Sequence, residues 1–248
     1  MAESNQTMRA YPVWDAPTRW FHWINALCVL LLIFVGLVFL FREELGLRGV
    51  EAKIALQKLH VGIGYVFAVN LGIRLCWAFF GNRFARFTAF IPRRRDLSEA
   101  APYFSLWLRG RPPQYLGHNP AGRIAVSLMF LLMILMLCTG LIRAGIDLYY
   151  PPLGGYIADY IAAPGVDPAS LQAGDPELRK KIDAGRYQPI RKLKMLTGRL
   201  HKYGAFALMA MVFLHILFVA LAEIRHHEGI VSAMFSGRKR MGRDPPDL

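Results

Sequence analysis

HKYGAFALMAMVFLHILFVALA, residues His201 to Ala222, holds two histidines fourteen positions apart, and from Tyr203 onward the run carries no formal charge. Read as a helix, that spacing is roughly 21 Å of rise at about 1.5 Å per residue. Fourteen steps of about 100° leave the two side chains only about 40° apart around the axis. One helix therefore offers an imidazole near each end of an apolar span, both on one face. Two further histidines, His22 and His60, open apolar segments of their own. An ionisable side chain inside such a segment is a functional-site signal, and four at matched depths are a stronger one. Depth pairs His22 with His215 and His60 with His201.

Composition supports a membrane setting. Of 248 residues, 54% are hydrophobic, too many for an ordinary soluble domain. A bilayer core of about 30 Å needs roughly 20 apolar residues. Four runs are long enough: 20–41, 57–80, 124–142 and 199–222 in round bounds. The second carries one charge, Arg74. A polar arm, 1–19, precedes the first run, which is too long for a signal-peptide core and is expected to stay as an anchor. Thr18 is a predicted N-cap, with Trp20, Phe21 and Trp23 at headgroup depth.

The net charge of +13 is unevenly placed. Arg83, Arg86, Arg93, Arg94, Arg95, Arg109, Arg111 and Arg123 lie between the second and third runs, against Asp96 and Glu99 alone. Arg238, Lys239, Arg240 and Arg243 follow the fourth run in a tail, 223–248. The positive-inside rule then puts both termini and the arginine-rich connection in the cytoplasm. No nucleic-acid-binding motif accompanies the charge. Cys28, Cys76 and Cys138 form neither a CxxC pair nor a CxxCH haem-attachment site and read as small core residues.

The remaining features are local. Gly62, Gly64, Ala68 and Gly72 have spacings that allow close helix contact. An amphipathic helix is predicted around Tyr103–Leu108. The outer connection, 143–197, exceeds 50 residues and so reads as functional or disordered. It contains a short apolar stretch, Tyr156–Ala163, and no histidine or cysteine. No internal repeat is visible.

Neutral imidazole is a common iron ligand. Two on one iron leave no open position, so such a haem transfers electrons rather than binding a substrate at the metal. The other reading of the histidines is as polar residues satisfied by neighbours. Arg74 suits a haem propionate, since a planar guanidinium matches a carboxylate; the alternative is snorkelling to headgroups. Arg19, Arg199 and Lys202 are weaker candidates of the same kind. His118 and Asn119 could hydrogen-bond a quinone carbonyl, or Asn119-Pro120 could simply start a helix. His226 and His227 fall beyond the last span and read as solvated. Tyr203, Phe206 and Phe213 at helical spacing read as core.

Several stretches carry a resemblance. They are Asp15-Ala16-Pro17-Thr18-Arg19-Trp20-Phe21-His22-Trp23-Ile24-Asn25-Ala26, Arg74-Leu75-Cys76-Trp77-Ala78-Phe79-Phe80-Gly81-Asn82-Arg83, Gly117-His118-Asn119-Pro120, and the helix from His201 to His215. Together they resemble the di-haem cytochrome b subunits of nickel–iron hydrogenases, bacterial cytochrome b561, and more distantly the gamma subunits of formate dehydrogenases. The resemblance implies an all-α membrane protein. In it a four-helix transmembrane bundle encloses two haems b, with a long external loop between helices 3 and 4. It implies His22 and His215 as inner-haem ligands, His60 and His201 as outer-haem ligands, and Asn119 as a quinone-side residue. Electrons would pass between a periplasmic partner (a hydrogenase, another dehydrogenase or a c-type cytochrome) and quinone in the bacterial inner membrane. One departure is Gly198, where hydrogenase subunits often carry a further histidine. Two rival readings are a stand-alone b561-type superoxide oxidase reducing quinone, and a non-redox protein binding a transported metal.

Overall fold

The computed structural model describes residues 9–110, 112–226, 229–242 and 245–248. Residues 1–8, Arg111, His227, Glu228, Arg243, Asp244 and the side chain of His226 lie outside that description. The chain is mainly helical: β1 (Arg9–Pro12), α1 (Ala16–Leu40), α2 (Val50–Phe80), α3 (Phe87–Phe90), α4 (Arg94–Leu108), α5 (Pro120–Leu148), α6 (Gly154–Ile161), a 3₁₀ turn (Pro168–Ser170), α7 (Leu178–Lys181), α8 (Ala184–His226), α9 (Ile230–Ser236) and β2 (Arg238–Met241). Among the described residues α1, α2, α5 and α8 are long and apolar enough to cross a membrane. Their outward side chains are apolar: Phe34, Val66, Leu131 and Phe213 are all more than half exposed. Water would penalise such a surface and lipid would not. The protein is an integral membrane protein.

The helices outrun the apolar runs that betray them. α1 starts at Ala16 because Asp15 Oδ1 accepts the Thr18 backbone N–H at 3.0 Å. Asp15 is therefore the N-cap, and Thr18, expected there, lies inside the first turn. α8 starts at Ala184, where Asp183 Oδ1 accepts the N–H groups of Gly185 and Arg186 at 2.9 Å each. Hydropathy finds the lipid-soluble part of a helix, whereas caps set its ends. The connection between α5 and α8 is accordingly 149–183, shorter than the expected 143–197.

By its own packing the chain divides into two compact units. The first comprises Met1–Asn25, Asn70–Leu131 and Ala210–Leu248. In it β1 pairs antiparallel with β2, Arg9 opposite Met241 and Pro12 opposite Arg238. Val13, Phe84 and Leu116 form one buried cluster with Met241 of β2. Lys239 is not a solvated tail charge: it is buried and its Nζ donates to the Tyr115 carbonyl at 2.7 Å. The Asp247 carboxylate accepts the N–H groups of Leu116 and Gly117 at 2.7 and 2.8 Å, fixing the approach to α5. α4 is longer than the predicted Tyr103–Leu108: the Asp96 carboxylate accepts the Arg93 backbone N–H at 2.7 Å, and the helix starts at Arg94, more than two turns earlier.

The second unit comprises Ala26–Val69 and Leu132–Met209. Ile146, Ile157, Ala158, Ile161, Ala162 and Leu171 form its core, so the connection after α5 carries its own packed interior. Gly154 lies against the Tyr149 backbone with no room for a Cβ. Backbone bonds Ala163 N–H to Lys181 O at 2.9 Å and Asp183 N–H to Ile161 O at 2.8 Å close the connection on itself. Tyr65 OH on α2 donates to the Pro151 carbonyl at 2.6 Å.

Three local expectations are corrected. A Cβ at Gly62, Gly64 or Gly72 would meet open space, so these glycines mediate no close helix contact. Cys28 is buried, but Cys76 and Cys138 are exposed and outside the core. Tyr203 and Phe213 are well exposed and Phe206 partly so; none is core. The reason is common to all three. A membrane helix is apolar on every side, so residue type does not report which side faces inward.

Candidate functional site

In the first unit α1 supplies His22 and α8 supplies His215, with ring centres 6.4 Å apart and planes at 56°. Helix α2 is tied to α1 beside them. Asn70 Nδ2 donates to the Phe21 carbonyl at 3.1 Å and to Asn25 Oδ1 at 2.7 Å. The second resembling stretch has a structural task here. Trp77 Nε1 and the Asn82 N–H both donate to Asp15 Oδ2, at 3.1 and 3.2 Å, while Asn82 Nδ2 donates to the Val13 carbonyl at 2.7 Å. This clasp holds the start of α1, and hence His22, against the end of α2.

In the second unit α2 supplies His60 and α8 supplies His201, with ring centres 6.2 Å apart and planes at 74°. The buried Thr139 hydroxyl lies 2.9 Å from His201 Nδ1. Its single proton is directed at the Leu135 carbonyl, 2.7 Å away. With that proton on the carbonyl, the hydroxyl oxygen would accept from His201 Nδ1, and the lone pair would stand on Nε2. Two glycines stand beside this pair. A Cβ at Gly36 would come within 3.6 Å of the His60 ring, and one at Gly140 within 3.4 Å of the His201 ring.

Both spacings fit one metal between two imidazoles. With a metal–nitrogen bond of about 2.0–2.1 Å and a ring nitrogen roughly 1.1 Å from its ring centre, opposed imidazoles have centres about 6.3 Å apart. The Nδ1 atoms of His22 and His60 are buried without a hydrogen-bond partner. Leaving such a group unmet costs roughly 1–3 kcal/mol. Among the described residues no three or more His, Cys, Asp or Glu side chains cluster for a metal. Each site is therefore an imidazole pair, the donor set of a bis-His haem rather than of a protein-only metal centre. The residues fit a haem.

The first unit gathers further polar atoms without partners. They are Thr18 Oγ1, Arg19 Nε, Arg74 Nη1 and His118 Nδ1. Arg74 does not snorkel. It is 7% exposed, lies over the rings of Phe90 and Phe130, and donates from Nη2 to the Ala85 carbonyl at 3.1 Å. Its other terminal nitrogen is free for an anion. Arg19 donates to the Phe235 carbonyl through Nη1. His118 packs against Trp14 with ring centres 5.2 Å apart. Burial, and then the nearby Arg123 and Arg74, pull its pKa down to about 4, so the ring is neutral near pH 7. Asn119 caps α5: its Oδ1 accepts the Gly122 N–H at 2.7 Å, and its Nδ2 donates to Tyr103 OH at 2.8 Å.

The second unit also holds a cavity of about 1350 Å³, with Gln57 and Gly198 in its wall. These residues stand one helical turn before His60 and His201, and neither histidine lines the cavity. Arg143 and Lys194 share Asp147 at 2.6 and 2.7 Å. Lys53, Arg179, Arg191, Arg199 and Lys202 also line it, all exposed and with no carboxylate within ion-pair distance among the described residues. Arg199 and Lys202, expected as propionate candidates, face this cavity. Sequence reasoning missed Asp15, Gly36, Thr139 and Gly140. Thr139 had a signal, a hydroxyl inside an apolar run, and Asp15 stood in a stretch quoted for the resemblance; the two glycines had none.

Residues 13–237 match the family model described as prokaryotic cytochrome b561. A probable Ni/Fe-hydrogenase B-type cytochrome subunit of Azotobacter chroococcum is 26% identical across 99% of this chain and 95% of its own length. The corresponding subunit of Rhodobacter capsulatus is 26% identical over 98% of this chain and 86% of that protein. The probable Ni/Fe-hydrogenase 1 B-type cytochrome subunit of Escherichia coli K12 is 30% identical over 148 residues, which cover 56% of this chain. That match spans 63% of the length of the Escherichia coli relative.

Proposed function

The chain belongs to the prokaryotic cytochrome b561 family, and on that premise we propose that it is a di-haem b-type cytochrome linking a periplasmic redox partner to membrane quinone. The single observation that carries this reading is the two imidazole pairs, at 6.4 and 6.2 Å. Haem b supplies a one-electron carrier at each pair. The protein supplies the rest. His22 and His215 would hold one iron and His60 and His201 the other, and two imidazoles on each would leave no open position for substrate at the metal. Thr139 fixes the His201 tautomer. The free guanidinium edge of Arg74 neutralises a propionate, with Arg19 beside His22 in the same role. The neutral His118 ring, its Nδ1 without a partner, is the quinone-side group, and Asn119 holds the turn that presents it.

The arginine-rich connection and the paired termini support a cytoplasmic face for the first unit, with the 149–183 connection outside, in the inner membrane of a bacterium. The names of the relatives support a hydrogenase as the partner; another dehydrogenase or a c-type cytochrome would meet the same outer site. One feature favours a second reading, superoxide oxidation by the chain alone: the cations beside the His60–His201 pair would attract a small anion.

A reduced-minus-oxidised spectrum with the haem-to-protein ratio tests the main reading. Two b-type haems per chain are expected, with His22→Ala and His60→Ala each losing one. A protein without haem, or variants indifferent to the loss of these rings, would refute it. Steady superoxide turnover by the purified chain with quinone would establish the second reading in place of the subunit role.

A further inference from the structure

We propose that the basic cavity of the second unit is the docking site for an acidic segment of the electron-transfer partner, a proposal that rests on the di-haem reading. Three observations carry it. First, its sign is unbalanced: Lys53, Arg179, Arg191, Arg199 and Lys202 line it without a carboxylate partner, while Asp147 is already shared by Arg143 and Lys194. Like charges lining one cavity repel one another and are relieved by a bound polyanion. Second, at about 1350 Å³ it exceeds the roughly 300–1,000 Å³ of small-molecule sites and suits a stretch of chain. Third, it lies one helical turn before His60 and His201, so a partner seated there stands next to the imidazole pair through which electrons would enter.

The cations come from different elements. Lys53 is on α2, Arg179 on α7, and Arg191, Arg199 and Lys202 on α8. Leu178 of α7 and Tyr187 and Ile190 of α8 pack on the core of the 149–183 connection, Gly174 of that connection lies against Ile54 of α2, and all of these residues belong to one compact unit. Complementary charge of this kind raises the encounter rate and selects the partner. It is also screened by salt, with a Debye length of about 8 Å at 0.15 M.

The test uses the purified full-length protein in detergent and a fluorescein-labelled hexaglutamate peptide, followed by fluorescence anisotropy. The peptide is expected to bind at low salt, to weaken steadily as salt rises, and to lose at least tenfold in affinity in the Arg179→Glu, Arg191→Glu double variant. The Gln versions of both positions should give an intermediate loss, and hexalysine should not bind. The haem-to-protein ratio of each variant reports folding. Unchanged peptide affinity in the Glu variant overturns the proposal. So does equal competition by sulfate at the same concentration, which would mark a site for small anions. Loss of haem with peptide binding intact would instead assign these cations to haem propionates and also overturn it. The titration needs no haem. A colourless protein that still bound hexaglutamate through Arg179 and Arg191 would sink the di-haem reading and leave the acidic-segment site standing.

Discussion

Thr139 shows how a neighbour one atom away decides what a histidine can do. A hydroxyl that donates to the Leu135 carbonyl can only accept from His201 Nδ1, which would leave Nε2 as the free donor of a lone pair. A hydrogen bond from the far nitrogen makes the ring a stronger donor to a metal and favours the oxidised state. Thr139→Val should therefore raise the midpoint potential at the His60–His201 pair and weaken haem retention roughly tenfold, while Thr139→Ser restores both. Redox titration followed at the haem bands reads this directly. An unaltered midpoint would show that the hydroxyl merely fills space. Arg74 acts with the opposite sign. On the di-haem reading its buried positive charge would stabilise the less positive, reduced iron, so Arg74→Leu should lower the midpoint at the His22–His215 pair by about 59 mV or more, a tenfold change for one electron. No comparable change is expected at the other pair. The four histidines were legible because apolar runs throw ionisable residues into relief. Thr139, Gly36 and Gly140 were not, since their importance is a distance to a ring on another helix.

At the scale of elements, the ends of the helices carry the information that hydropathy lacks. Asp15 is an N-cap and also the acceptor for Trp77 and Asn82. Burial raises its carboxyl pKa, but the hydrogen bonds from Thr18, Asn82 and Trp77 outweigh that and hold it below the ordinary value. A carboxylate with a lowered folded pKa adds stability above its unfolded pKa and loses it as pH falls through the folded one. Asp15→Asn should cost roughly 1–2 kcal/mol near neutral pH, and the gap from wild type should narrow below about pH 4. Thermal unfolding at the two pH values checks the sign; a gap that widened in acid would contradict it. His118 titrates in a different window. Its folded value of about 4 lies below the ordinary 6.5, so the unfolded chain binds the proton first and stability falls as pH drops between those values. The sequence located four spans, but it overstated the connection before α8, because Arg143, Asp147 and Lys194 are polar yet helical.

On the scale of the molecule, the two ends of the chain meet. β1 pairs with β2, and Asp247 caps the backbone just before His118, all within the unit that holds His22 and His215. Removing residues 238–248 should therefore weaken haem retention at that pair and spare the His60–His201 pair, which belongs to the other unit. Haem content resolved by potential measures this; equal loss at both pairs would show that the tail supports the whole chain. By itself the sequence determined the membrane setting, the four spans and the histidine pairing. Those follow from hydropathy and the 3.6-residue period, which are properties of one segment at a time. Only the tertiary structure decided which polar atoms stay unpartnered, which glycines stand against imidazoles, and where lysines and arginines scattered from position 53 to position 202 converge on one cavity. Such facts arise between segments distant in sequence, and on helices apolar all round no residue pattern announces which face turns inward.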